Sequence, residues 1–168
     1  EQGATGLKLA AVVARLPFSK GALLHHFPTK LALLEGGIDH LASEMTAAIQ
    51  AEAARDPNPY GRNARAYLRV TVNDPVTDRD VSIGRAALVV CAVEPSLITR
   101  WQAAMRALAE DDPVDLAGKD DALMLRLIAD GLWMSDLFGT HEVSPEQRKA
   151  LLSLLTPGVL LAETGDAE

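Results

Sequence analysis

Apolar residues recur along this chain at intervals of three and four, the spacing that puts them on one face of a helix. Nowhere do several residues alternate with period two between turn signals, so the pattern predicts an all-α protein. The apolar, alanine-rich run "LKLAAVVAR" over 7–15 is interrupted by "LPF". Ser19 then suits an N-cap before a short helix over 20–26 that Pro28 ends, because proline cannot donate to the helical ladder. Thr29 caps a long helix predicted over 30–55 and closed by "DPNP". Helices follow at about 60–73, 79–93 and 95–110, divided by "NDPVTD" and Pro95. The loop "EDDPVDLAGKD" leads into a helix at about 119–138, and "GTHEVSPEQ" into a last one at about 145–155. That last start is well marked: Ser144 as cap, Pro145 at the first position, Gln147 three residues after the cap.

The helix over 119–138 is apolar nearly all round, through Leu123, Leu125, Leu127, Leu132, Met134 and Phe138. A helix on the surface would show one stripe, so this one needs cover on both sides. One side can meet the chain's own core. The other is expected to meet a second copy, with Leu125, Leu132, Leu151, Leu152 and Leu155 at the interface; a central core helix in a monomer is the other reading.

Composition narrows the class. The chain has 168 residues, of which 48% are hydrophobic and 4% aromatic, enough for a sizeable helical core in one domain. No apolar run approaches the ~20 residues that span a bilayer, and the start does not read as a signal peptide, so a cytoplasmic protein away from the membrane is expected. Cys91 stands alone and builds neither a disulfide nor a cysteine metal site; inside "AALVVCAV" it reads as a buried thiol. The net charge is −7, yet residues 1–34 carry Lys8, Arg15, Lys20 and Lys30 against Glu1 alone, while the rest holds 12 basic and 22 acidic residues. A basic end on an acidic body points to contact with a polyanion at that end only.

The candidate chemistry lies in "SKGALLHHFPTK", Ser19 to Lys30. Two short helices with a tight turn, the second rich in small residues and flanked by cations, describe a helix-turn-helix. Gly21 and Ala22 would allow close approach to bases; Ser19 and the helix amides suit phosphate; Lys20, His25, His26, Thr29 and Lys30 add donors around the same groove. Adjacent histidines point about 100° apart on a helix and share one metal ion poorly, so no metal is expected there. Leu23 and Phe27 share the face that docks the helix onto its neighbours.

"SKGALLHHFPTKLALL" resembles the recognition-helix signature of TetR-type (tetracycline-repressor-like) transcriptional regulators, SKGxLYxHFxSKExL, at Ser19, Lys20, Gly21, Leu23, His26, Phe27, Lys30 and Leu33. Leu24 replaces a tyrosine that reaches phosphate, Pro17 stands where the turn often has glycine, and Leu31 where an acid is common. "EQG" aligns with the end of the family's first helix, so that helix is expected to be missing from this chain. "LIADGLWMSDLFG" is similar to a late helix of the ligand-binding domain in some members.

The resemblance implies a partial helix-turn-helix over 1–34 and a helical effector-binding and dimerisation domain over 35–168. The implied function is a homodimeric DNA-binding regulator acting as a repressor on palindromic double-stranded operator DNA, released by a small apolar or weakly polar effector. Arg85, Leu88, Cys91, Trp101, Met105, Trp133, Met134 and Phe138 are the expected effector-binding residues, with Arg85 or the indole N–H groups orienting a polar end. A helical small-molecule carrier or protein-interaction module that no longer binds DNA is the alternative. The acids Glu110, Asp111, Asp112, Asp120 and Asp121 read as loop solvation and helix capping, and with no nucleophile–base pattern or metal-spaced cluster, neither enzyme activity nor a cofactor is expected. Gly36-Gly37 near the start of the long helix reads as close packing or as a bend point.

Overall fold

The structure is a computed structural model that describes Gly21 and residues 25–73, 76–113 and 118–155. Among them lie six helices and no strand: α1 (Lys30–Ala53), α2 (Arg62–Asn73), α3 (Asp78–Val93), α4 (Pro95–Glu110), α5 (Gly118–Phe138) and α6 (Pro145–Leu155). Each begins and ends within two residues of the span predicted from caps and periodicity. Thr29 accepts from the Ala32 amide at 3.0 Å to start α1. Ser144 and Gln147 form the expected reciprocal cap of α6: the Gln147 amide donates to Ser144 Oγ at 3.3 Å and the Ser144 amide to Gln147 Oε1 at 2.8 Å. A capping box at Thr77 and Asp80 starts α3. Gly139, at φ 63°, takes the left-handed conformation that closes α5.

The main core forms where α1, α2 and α5 meet. Ile49, Leu68, Leu125 and Ala129 are at most 2% exposed there, and Tyr67 donates its hydroxyl to Asp130 Oδ1 at 2.6 Å across the α2–α5 contact. A smaller cluster of Ile38, Val90 and Leu97 joins α1 to α3 and α4. α6 rests on the main core through Leu151, Leu152 and Leu155.

Two buried polar devices fix the frame. Arg65, only 2% exposed, has every arm engaged: Nε on Asp56 Oδ2 at 2.8 Å, Nη1 on the Tyr60 carbonyl, and Nη2 on the Asn58 carbonyl. Asp56 also receives Arg69 at 2.8 Å. Burial alone would raise its pKa; the hydrogen bonds from Arg65, Arg69 and the Asn58 amide outweigh that and hold it at about 2. The second device is Asp112, just beyond α4. It reaches back to cap α2, accepting the Asn63 and Ala64 amides at 3.0 Å each, and pairs with Arg126 of α5 at 2.8 Å. The expected loop carboxylate is therefore a buried clamp, because the exposed amide end of α2 needs an acceptor.

α5 is not covered all round within the chain. Leu125 and Leu132, expected at an interface between copies, are 1% and 7% exposed in the protomer's own core. Leu123, Leu127, Gly131, Met134 and Phe138 recur at intervals of four, four, three and four residues along the opposite face and are exposed.

A cavity between the helices

One face each of α1, α3 and α5, with residues from α2 and α4, lines a cavity of about 610 Å³ that opens to solvent. Its wall follows helical periodicity: Ile38, Leu41, Met45 and Ala48 from α1; Ile83, Ala87, Leu88 and Cys91 from α3; Trp133, Asp136 and Leu137 from α5. Val70 and Thr71 of α2, Val76 before α3, and Ile98 and Trp101 of α4 complete most of it. The volume lies within the ~300–1,000 Å³ typical of sites for small organic ligands. Trp101 and Trp133 stack with ring centroids 6.4 Å apart and planes 17° apart. Gly84 brings α3 close to α5 here: a Cβ on it would sit 2.6 Å from Leu137 Cδ2, so only glycine fits without moving that side chain.

Of the residues expected to bind an effector, Leu88, Cys91, Trp101 and Trp133 line this cavity. The other four lie elsewhere. Arg85 turns its guanidinium onto the Leu137 carbonyl at 2.5 Å. Met105 packs on the main core and lines a second cavity of about 260 Å³ between α2, α4 and α5. Met134 and Phe138 are 38% and 57% exposed, on the face of α5 that turns away from the core. Burial raises the pKa of the Cys91 thiol, which makes it an uncharged part of the wall rather than a nucleophile.

The polar groups of the wall are mostly acids: Glu44, Asp80 and Asp136, with Thr71 beside them. No Lys, Arg or His is among its lining residues. Asp136 Oδ1 pairs with Arg148 of α6, which also donates to the Thr71 carbonyl. Asp136 Oδ2 is buried and accepts no hydrogen bond from the described residues. Asp80 spends one oxygen on the Thr77 hydroxyl and amide, which lower its pKa. This acidic wall is not legible locally, since the three carboxylates come from three helices and the first and last stand 92 positions apart.

α1 links this cavity to the signature segment. Its first residue, Lys30, and its cap, Thr29, close that segment, and five of its later side chains are cavity wall. Phe27 packs against Gly36, where a Cβ would lie 2.5 Å from its ring, so Gly36 serves close packing; Gly37 has no neighbour within 4 Å, and α1 runs unbroken past both. Arg100 of α4 forks onto Asp39 at 2.7 Å and Glu35 at 3.3 Å of α1, next to cavity residue Trp101. Gly21, His25 and His26 are exposed, and the histidine rings meet edge to face at 5.3 Å. Thr29 spends its hydroxyl on the cap of α1. Ser19, Lys20 and Ala22 lie outside the described residues.

Among the described residues, no three His, Cys, Asp or Glu side chains are grouped to hold a metal ion, and no single helix is long and apolar enough to cross a membrane. No curated protein matches the chain significantly. The family of tetracyclin repressor-like C-terminal domains matches residues 61–157, from the turn before α2 to just past α6. That match takes in more than half of the chain and every cavity helix except α1, so the all-helical chain belongs to the tetracycline repressor-like family.

Proposed function

We propose that the protein is a homodimeric, cytoplasmic DNA-binding regulator that acts as a repressor, leaving its operator when a small molecule fills the cavity between α1, α3 and α5. The observation that carries this reading is the double use of α1. One continuous helix follows directly on the Ser19–Lys30 signature and also forms a wall of a ligand-sized cavity. An occupant that pushes on Ile38, Leu41 or Met45 bears on the helix that positions the signature segment. An occupant that moves Trp101 bears on the same helix through Arg100, Glu35 and Asp39.

Ser19, Lys20, Gly21, Ala22, His25 and Lys30 are the proposed DNA contacts, and Leu88, Cys91, Trp101 and Trp133 the proposed effector contacts. The second copy is proposed to sit on the exposed stripe of α5 formed by Leu123, Leu127, Gly131, Met134 and Phe138, continued by Leu154 of α6, which is 75% exposed. Gly131, with nothing within 4 Å of where its Cβ would be, leaves room for a close approach of helices. Two copies would present two recognition helices to a palindromic site.

The DNA contacts are tested by the salt dependence of binding. Each lysine that neutralises a phosphate contributes about one unit to the slope of log K against log salt. Lys20→Ala and Lys30→Ala should each weaken binding to the chain's own upstream DNA and flatten that slope by about one unit. Unchanged affinity and slope in both variants would overturn the assignment.

A further inference from the structure

The larger and the smaller cavity follow one another along the same helix faces. On α5, Arg126, Asp130, Trp133 and Leu137 recur at intervals of four, three and four residues. The first two line the cavity of about 260 Å³ and the last two the cavity of about 610 Å³. α2 divides in the same way, with Asn63 and Tyr67 on the smaller cavity and Val70 and Thr71 on the larger. On α1, Met45 lines the larger and Ile49, four residues on, the smaller. Side chains one turn apart on three helices thus face two spaces set end to end.

On α4 the division falls on one side chain. Ile98 lines the larger cavity and Met105 the smaller. Trp101 stands between them on the same face and, alone among the described residues, lines both. Its ring stacks on Trp133, with centroids 6.4 Å apart and planes 17° apart. The residue before it, Arg100, ties α4 to α1 through Asp39 at 2.7 Å and Glu35 at 3.3 Å. A ring braced by a second ring, on a helix pinned at the adjacent residue, is a fixed partition rather than a swinging gate. Beyond the indole, Ile49, Met105 and Leu108 carry on the apolar wall, while Gln102 and Arg106 are exposed at its edge. Without Trp101 an apolar chain would therefore find no barrier to running on.

We infer that Trp101 sets the length of the ligand: an apolar molecule fills the larger cavity as far as the indole and stops there, and the smaller cavity takes no part in its recognition. This inference rests on the larger cavity's being the effector site, and the experiment separates the two.

The full chain is titrated in a calorimeter with straight-chain primary alcohols from hexan-1-ol to dodecan-1-ol, probes with an uncharged head. Each methylene that enters an apolar site adds about fourfold in affinity. In the parent that rise should stop within the series, at the length that meets Trp101. Trp101→Ala joins the two cavities and should carry the rise at least about two methylenes further. Trp101→Phe and Trp101→Leu, which keep an apolar side chain in place and stand in should the alanine variant fail to fold, should extend it by less, leucine more than phenylalanine. Met105→Ala enlarges the smaller cavity alone. By itself it should leave the end point where the parent has it, and combined with Trp101→Ala it should carry the rise further still, a pattern that mere loosening of the fold does not produce. An end point unmoved in the Trp101 variants, a shift as large from Met105→Ala alone, or a rise in the parent that continues to dodecan-1-ol overturns the partition. No alcohol bound by the parent refutes the larger cavity as an effector site and the partition with it. Fluorescence anisotropy of labelled upstream DNA is read in the same samples. A shifted end point with no loss of DNA binding on filling the cavity would uphold the partition and refute the cavity's role in release.

Discussion

Replacing Asp112 by alanine should be among the most damaging single changes in the body of this protein. Its carboxylate is completely buried and serves three helices at once: it follows α4, caps α2 through the amides of Asn63 and Ala64, and pairs with Arg126 of α5. Alanine leaves two buried amides without an acceptor, each at about 1–3 kcal/mol. Arg126, 22% exposed, can turn to water and adds little. The expected loss is about 4 kcal/mol, within the range seen when one partner of a buried pair is removed. For a chain of this length that corresponds to a fall of roughly 10 °C in Tm. Asp112→Asn keeps one carbonyl acceptor in place and should lose about half as much. Urea unfolding of both variants, with the denaturant slope compared to confirm the same unfolding transition, measures this directly. An alanine variant less than about 1 kcal/mol below the parent, or an asparagine variant as unstable as alanine, would refute the clamp.

Leu127→Glu should leave the folded protomer within about 0.5 kcal/mol of the parent, since the side chain is 59% exposed. It should also weaken dimerisation by at least about a hundredfold, by burying an unpaired charge at the proposed interface; sedimentation analysis showing an undisturbed dimer would move the interface elsewhere. Asp56 gives a pH signature. Its folded pKa of about 2 lies below its ordinary 3.8, so its stabilisation, about 2 kcal/mol, is complete above pH ~4 and is lost as pH falls through about 2. Asp56→Asn should therefore flatten the acid limb of the urea midpoint plotted against pH, and an unchanged acid limb would exclude Asp56 from acid unfolding.

The helices were legible because their ends are written locally. Thr29 sits three residues before its amide partner, and Ser144, Pro145 and Gln147 specify the start of α6 within four residues. Asp112 was not legible in the same way, since its partners lie 48 and 49 residues back and only the tertiary fold brings them together. For the same reason Arg65 gives no sign in sequence that it will be buried. Periodicity also failed to orient α5: with apolar residues on every side, nothing local distinguishes Leu125 and Leu132, which entered the protomer core, from Leu123 and Leu127, which did not. The cavity was half legible. Bulky and polarisable residues on α3, α4 and α5 marked the region and placed Leu88, Cys91, Trp101 and Trp133 in it, but the contribution of α1 and the acidic character of the wall depend on how helices distant in sequence face one another.

Sequence-specific DNA binding by this protein can be measured with two DNA duplexes in one anisotropy experiment at physiological salt. One carries the chain's own upstream region and the other the same bases scrambled. Two protomers should occupy each site on the upstream duplex, with an affinity at least ~10³-fold above that for the scrambled one, the lower bound for specific regulators. Equal affinity for both duplexes, or no binding to either, would contradict it and leave a helical small-molecule carrier as the better description.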